Sequence, residues 1–245
     1  MNEYLAKVAT GQIPGHAIHR HWGVNRAVPA GTASIWSKGG THVWNDDPED
    51  VLITSDSAED GPGGTGWIIA SVEYIDTNYT RNHVEVIMNG ATGVTITDCR
   101  HIVKMDCQNG DSEVGSSEVN VGNITATGVT SGNIYNYVAA GDGATLAFFS
   151  IVQGGHTMLV GTIKYSASTT GGSPILTFKF FIQKVGYGKE LIRTDTMDTA
   201  VEGQMQIDYI GGFVMIEETR WWVEVTSDKA GAEVNAEFSG IEIKN

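Results

Sequence analysis

The chain is poor in several features that mark whole classes of protein. Only two of its 245 residues are cysteine, Cys99 and Cys107, too few for the disulfide framework of a small secreted domain. The RHIVKMD segment between them contains no turn residue. Read as one strand, eight steps of roughly 3.3 Å place the two sulfurs about 26 Å apart, beyond disulfide reach. Two free thiols are expected, in keeping with synthesis in a reducing compartment. Proline is scarce as well, with five residues, three of them before position 49. No uninterrupted apolar run approaches the roughly 20 residues of a membrane span. The opening MNEYLAKVATGQ lacks the charged-then-apolar layout of a signal peptide, so cytoplasmic synthesis and no membrane partner are expected. Cations are few: 15 Lys and Arg stand against 29 Asp and Glu, a net charge of −14. Phosphate contacts demand the opposite balance, which argues against nucleic acid; the acidity reads as a solvated, self-repelling surface. Catalytic signatures are missing too: there is no G-x-S-x-G, no H-E-x-x-H and no P-loop lysine pattern. GPGGTG at 61–66 leads into a strand rather than a helix, which argues against a phosphate cradle.

Glycine and strand patterns are what the sequence has in abundance. The 31 glycines follow no period and so mark turns between short strands. Runs such as VLITS (51–55), GWIIASVEYI (66–75), TMLVGTIKYSA (157–167) and ILTFKFFIQKV (175–185) combine β-branched and aromatic residues with period-two alternation. They predict an all-β fold, an antiparallel β-sandwich of jelly-roll type. In RWWVEVTS, Trp222, Glu224 and Thr226 fall on one side and Trp221, Val223 and Val225 on the other. A turn at 229–232 and a returning strand would make a C-terminal hairpin closing the sandwich. A second hairpin is expected at Asn89-Gly90, between HVEVIM and GVTIT. A three-residue loop would set Val86 opposite Val94 and Val84 opposite Ile96, with apolar side chains on one face.

The first 45 residues show no sustained period. Residues 3–9 fit one or two helical turns, and an extended N-terminal arm is expected beyond them. Trp22, Ile35, Trp36 and Trp44 are the apolar anchors with which such an arm would dock on its own sandwich or on a neighbouring subunit. The sandwich would occupy 46–245, with room for two packed β subdomains divided near 130–140.

Groups that converge for chemistry are hard to find. His16, His19 and His21 match no zinc spacing and have no cysteine or carboxylate near them in sequence. NDDPEDV and SDSAEDGPGG lack the alternating oxygen ligands and distal Glu of a calcium loop, and are read as soluble loops with an Asx-type turn at Asp60-Gly61. With so many carboxylates, a glycosidase pair carries no signal in sequence. Trp221-Trp222 suggests a sugar platform, yet adjacent strand residues face opposite sides, so at most one is exposed. No catalytic residue, metal or cofactor is expected.

GGTGWIIASVEYIDTNYTRNHVEVIMNGATGVTIT resembles a pattern found in virion structural proteins of tailed bacteriophages, many from aquatic hosts. Gly64 and Gly66 match its Gly-x-Gly; Ile75, Asp76 and Tyr79 its Leu-Asp-x-x-Tyr; Glu85, Asn89 and Gly90 its Glu-x-Val-x-Leu-Asn-Gly. The flanking GQIPGHAIHRHWGVN, the Trp36–Trp44 stretch and NVGNITA (120–126) follow the same order, so the likeness covers about the first 130 residues. Tyr74 stands where the family usually has glycine, and Ile87-Met88 where Thr-Leu is common. The resemblance implies a non-enzymatic virion component that decorates or cements the capsid. Its partners would be other virion proteins, the major capsid protein or tail components, and copies of itself, with a trimer suggested by the habits of such proteins. A tail, fibre or receptor-binding piece is the alternative within that class. A glycan-binding β-sandwich module or hydrolase is the alternative outside it.

Overall fold

The structure, a computed structural model, describes residues 3–108, 119–169, 172–200 and 203–245. A short helix, α1 (Glu3–Ala9), is followed by β1 (His16–Val28), β2 (Gly31–Ser34), β3 (Glu49–Ser55), β4 (Ile69–Asp76) and β5 (Arg81–Ile87). Next come β6 (Val94–Cys107), β7 (Ile124–Gly128), β8 (Ile134–Val138), β9 (Phe149–Ile151) and β10 (His156–Thr169). β11 (Ile175–Lys184), β12 (Glu190–Asp198), β13 (Gln204–Met215), β14 (Thr219–Ser227) and β15 (Ala232–Lys244) complete the chain. The strands form two compact units. The first takes residues 1–35, 39–41 and 148–245, the second residues 36–38 and 42–147. The boundaries expected at 45 and near 130–140 both fall within the second unit.

The first unit is an antiparallel β-sandwich. One sheet has the order β1-β15-β10-β13, the other β12-β11-β14-β2, with β9 also paired to β14. Their inner faces share one core that includes Val160, Ile163 and Tyr165 of β10, Phe178 and Phe180 of β11, Trp221 and Val223 of β14, and Phe238 of β15. Trp221 stacks on Phe238 at 4.8 Å and Tyr165 on Phe178 at 4.2 Å, offset aromatic contacts that add to the burial of large apolar surfaces.

Two sequence expectations are corrected within this unit. β14 and β15 are consecutive but not a hairpin: β14 pairs with β11 and β2, whereas β15 pairs with β1 and β10. Each has an apolar face, and crossing from sheet to sheet at Gly231 (φ +98°) turns both faces inward. The segment expected to run as an extended arm without regular structure contains two strands, β1 and β2, with β1 laddered to β15 from His16↔Ile243 to Val28↔Ala232. Its pattern was hidden because the residues facing inward include His19, His21 and Gly23, whereas Ile18 and Trp22 face out. Gly23 is required by packing, since a Cβ there would come within 2.5 Å of the Phe148 Cβ and 2.8 Å of the Ile35 carbonyl oxygen. The helix at 3–9 is present, with a Glu3–Lys7 ion pair of 2.7 Å.

The second unit is built on a six-stranded antiparallel sheet in the order β5-β4-β6-β3-β7-β8, whose core includes Val51, Ile53, Trp67, Val72, Ile102, Met105 and Ile124. Here the Asn89-Gly90 hairpin is overturned. β5 and β6 flank β4 on opposite sides, and the observed partners are Val84↔Val72, Val86↔Ala70, Val94↔Ile53 and Ile96↔Val51. The tight turn itself exists: Gly90 has φ +55° and Thr92 N–H donates to the Asn89 carbonyl at 3.0 Å. Long-range bonds decide where it leads. Gly90 N–H donates to the Asp60 carbonyl (2.8 Å) and the Gly90 carbonyl accepts from Ser55 N–H (2.9 Å), tying the turn to the end of β3. The actual hairpin joins β4 to β5. There the Asp76 carboxylate accepts from Asn78 N–H (2.8 Å) and Thr80 N–H (2.9 Å), and Tyr79 takes φ +59°. Cys99 and Cys107 lie on the one strand β6, and neither forms a disulfide.

Candidate functional site

The four expected arm anchors have different fates. Ile35 is fully buried in the core of the first unit. In the second unit, His42 packs edge-on against both Trp36 (5.3 Å) and Trp44 (4.8 Å), and Trp44 also lies 5.1 Å from His101. Trp36 is buried and Trp44 half-buried. Trp22 stands apart: it is 49% exposed on the outer face of the β1-β15-β10-β13 sheet.

That outer face is organised in rows set by strand register. Trp22, Glu237, Lys164 and Gln206 form one row, and Arg20, Ser239, Thr162 and Asp208 the next. A third, apolar row contains Ile18, Ile241, Leu159 and Val214; Ile18 and Val214 are exposed. Tyr4 and Leu5 of α1 join Ile18, Leu159 and Ile241 of this row in lining a groove of about 420 Å³. The rows keep their alignment across the sheet because a bulge between Val160 and Thr162 interrupts β10 against both of its neighbours.

Several of the residues that carry the sequence resemblance sit in loops of the second unit, near Asp60 or at turns. Asp60, fully buried, accepts from Trp67 N–H and Val121 N–H on Oδ1 (both 2.9 Å), and from Gly122 N–H (2.8 Å) and the Ser55 hydroxyl (2.5 Å) on Oδ2. Gly64 and Gly66 leave space for this knot, since a Cβ on them would strike the Glu59 backbone and the Asp60 carboxylate respectively. Tyr79 lies under the Arg100 guanidinium at 4.3 Å, a cation–π contact. The burial of Asp60 corrects the expectation of a solvated Asx-type turn at Asp60-Gly61. The missed signal was Asp60-Gly61 followed by closely spaced glycines, which a carboxylate turned toward backbone amides requires.

Other polar clusters are accounted for by their neighbours. His19 and His21 meet through their Nε2 atoms at 2.7 Å, and His19 Nδ1 lies 3.7 Å from the buried Glu242. Among the described residues no group of His, Cys, Asp and Glu has the arrangement of a metal site. Glu49 accepts from Thr130 N–H (2.6 Å), Ser131 N–H (2.9 Å) and the Tyr135 hydroxyl (3.0 Å). Burial pushes its pKa up, but the bonds from Ser131, Thr130 and Tyr135 outweigh that and leave it lowered. Burial pushes the Cys99 thiol up to about 12, which makes it an unreactive nucleophile. Trp221 and Trp222 are both buried, and the Trp222 indole N–H donates to Glu224 at 3.0 Å, so the adjacent pair offers no sugar platform.

Comparison with protein families finds no family that matches the chain, and comparison with curated proteins finds none similar to it. Among solved structures, it is similar to the VP2 subviral particle of infectious bursal disease virus at 10% identity and a TM-score of 0.27, covering 100% of this chain and 78% of that one. Similar too are the same virus's Gt strain (11% identity, TM-score 0.23, 98% and 77% covered) and particles derived from it with T=1 symmetry (9%, 0.23, 98% and 79%).

Proposed function

We propose that this chain is a non-enzymatic structural protein of a tailed-phage virion, one that decorates or cements the capsid through contacts between subunits. The reading rests on the tailed-phage pattern at Gly64, Gly66, Ile75, Asp76, Tyr79, Glu85, Asn89 and Gly90, several of whose residues hold loops and a turn. A cementing protein needs apolar surface to bury across a subunit boundary, at about 25 cal/mol per Å². The exposed Tyr4, Leu5, Ile18 and Val214 offer such surface, and repetition of copies around a symmetry axis multiplies weak contacts into avidity. Quantitative mass spectrometry of purified particles tests the reading. Hundreds of copies per particle would support a shell position, and a handful would move the protein to the tail or a vertex. Absence from intact particles would overturn the virion assignment.

A further inference from the structure

The polar part of the same outer sheet face has a feature that cementing does not use. Around Trp22 lies an open depression of about 470 Å³ whose lining includes Lys164, Gln204, Gln206, Asn235 and Glu237. Its size is that of an ordinary small-ligand site. We propose that this depression binds a short neutral saccharide, with the Trp22 indole as the surface on which a pyranose ring stacks.

The chemistry of the lining favours that occupant. A pyranose has one face of C–H groups and a rim of hydroxyls, and an indole face with its negative quadrupole attracts the former. Trp22 is about half exposed, whereas Tyr165, the other aromatic in the lining, is buried. The partners across from and beside Trp22 are polar: Glu237 on β15, then Lys164 and Gln206 in the same row, with Arg20 preceding it on its own strand face. An aromatic anchor for a protein partner is typically ringed by contacts that exclude water. This one has amides, a carboxylate and an ammonium beside it, along with Met205 and Ala236.

Those polar groups each have a polar neighbour on the sheet. The Gln206 amide donates to Asp208 at 2.9 and 3.1 Å, Lys164 lies 3.6 Å from Glu237, and the Asn235 amide lies 3.4 Å from Glu233. Each keeps capacity to spare: the Gln206 carbonyl, the remaining Glu237 lone pairs and the further Lys164 protons can pair with hydroxyls. The charged side chains of the lining also balance, Lys164 against Glu237, in a chain whose net charge is −14. An anionic ligand would call for an excess of cations and a cationic one for an excess of carboxylates; balance suits a neutral ligand.

The site can be tested on the full chain by screening an array of neutral oligosaccharides and titrating the strongest binders calorimetrically. Saturable binding is expected that changes little between low and high salt, because no net charge is matched. Trp22→Ala should weaken it at least about tenfold, equal to about 1.4 kcal/mol, with circular dichroism unchanged because the side chain lies on the outer face. Trp22→Phe should keep most of the affinity. Three results would overturn the proposal: no saturable binding across the array, binding confined to sulfated or phosphorylated glycans and lost in salt, or unchanged affinity in Trp22→Ala. Self-association that depends on Trp22 without sugar binding would assign the surface to a second copy instead. Presence or absence in virions leaves each of these readouts unaffected, so the two proposals fail separately.

Discussion

Replacing Asp60 by asparagine should damage the second unit far more than its position in a glycine-rich loop suggests. The carboxylate is fully buried and accepts four hydrogen bonds, two on each oxygen. Asparagine keeps the shape but turns one acceptor into a donor. If the new amide nitrogen takes the Oδ1 position, the Trp67 and Val121 N–H groups both lose their partner. If it takes the Oδ2 position, the Ser55 hydroxyl can rotate to accept, but Gly122 N–H is left facing another donor. The second arrangement is the cheaper. It orphans one buried N–H at about 1–3 kcal/mol and removes the charge assistance from the remaining bonds, for a total loss of about 2–4 kcal/mol. In a unit of roughly a hundred residues that corresponds to a fall in Tm of about 10–20 °C. Asp60→Ala should cost more, because all four donors lose their acceptor. Thermal unfolding followed by near-ultraviolet circular dichroism measures the effect, with Trp67 as a reporter inside the affected core. An Asp60→Asn variant within about 0.5 kcal/mol of the parent, the range of ordinary surface changes, would refute the assignment of Asp60 as the knot of this loop.

Three further outcomes follow from local geometry. Gly23→Ala should destabilise the first unit by about 2 kcal/mol or more in denaturant titration, since its Cβ would be forced against Phe148 and the Ile35 carbonyl. Thiol titration should count two sulfhydryls in the unfolded, unreduced chain, while in the folded chain the half-buried Cys107 reacts first and Cys99, with its thiol pushed up to about 12, waits for unfolding. The lowered pKa of Glu49 gives stability that is fully present above its ordinary value of 4.5 and is lost as pH falls through the lower folded value; Glu49→Gln should reduce this acid sensitivity in urea titrations between pH 5 and about 2.

Much of the strand content was legible because burial on one face imposes a period of two. β6 is the clearest case: RHIVKMD reads as a strand, and Cys99 and Cys107 indeed lie at separate points along it. Pairing was not legible to the same degree. Asn89-Gly90 makes a tight turn wherever it occurs, but a turn does not determine whether the strand after it lies beside the strand before it. That choice is made by bonds to Ser55 and to the Asp60 carbonyl, far away in sequence. Asp60 was hidden for the same reason, since Val121 and Gly122 are 61 and 62 residues from it. A run of acids looks alike in sequence whether its carboxylates meet water or buried amides. The C-terminal corner shows the converse, because the alternation that places Trp221, Val223 and Val225 on one side was read correctly, yet the hairpin expected from it is overturned by β15 pairing in the other sheet.

β1 is the strand that breaks the local rule most clearly, and the break bears on function. It turns His19, His21 and Gly23 toward the sandwich and leaves Ile18 and Trp22 facing out, the reverse of what hydrophobic burial favours. The inward side is made good by specific contacts: His21 packs edge-on against Trp221 at 5.1 Å, His19 lies 3.7 Å from Glu242, and Gly23 admits Phe148 and Ile35 at close range. Among the described residues of the first unit the outward side is not compensated in the same way, for Trp22 keeps about half its surface in water. A tryptophan left there forgoes part of the stabilisation it would gain in the core, typically about 1.5–3 kcal/mol for a large apolar side chain. Rules that hold elsewhere in a chain tend to be broken where a binding site requires it. The outward Trp22, among polar side chains, is the position where this chain's own stability and its binding of something else would pull in opposite directions.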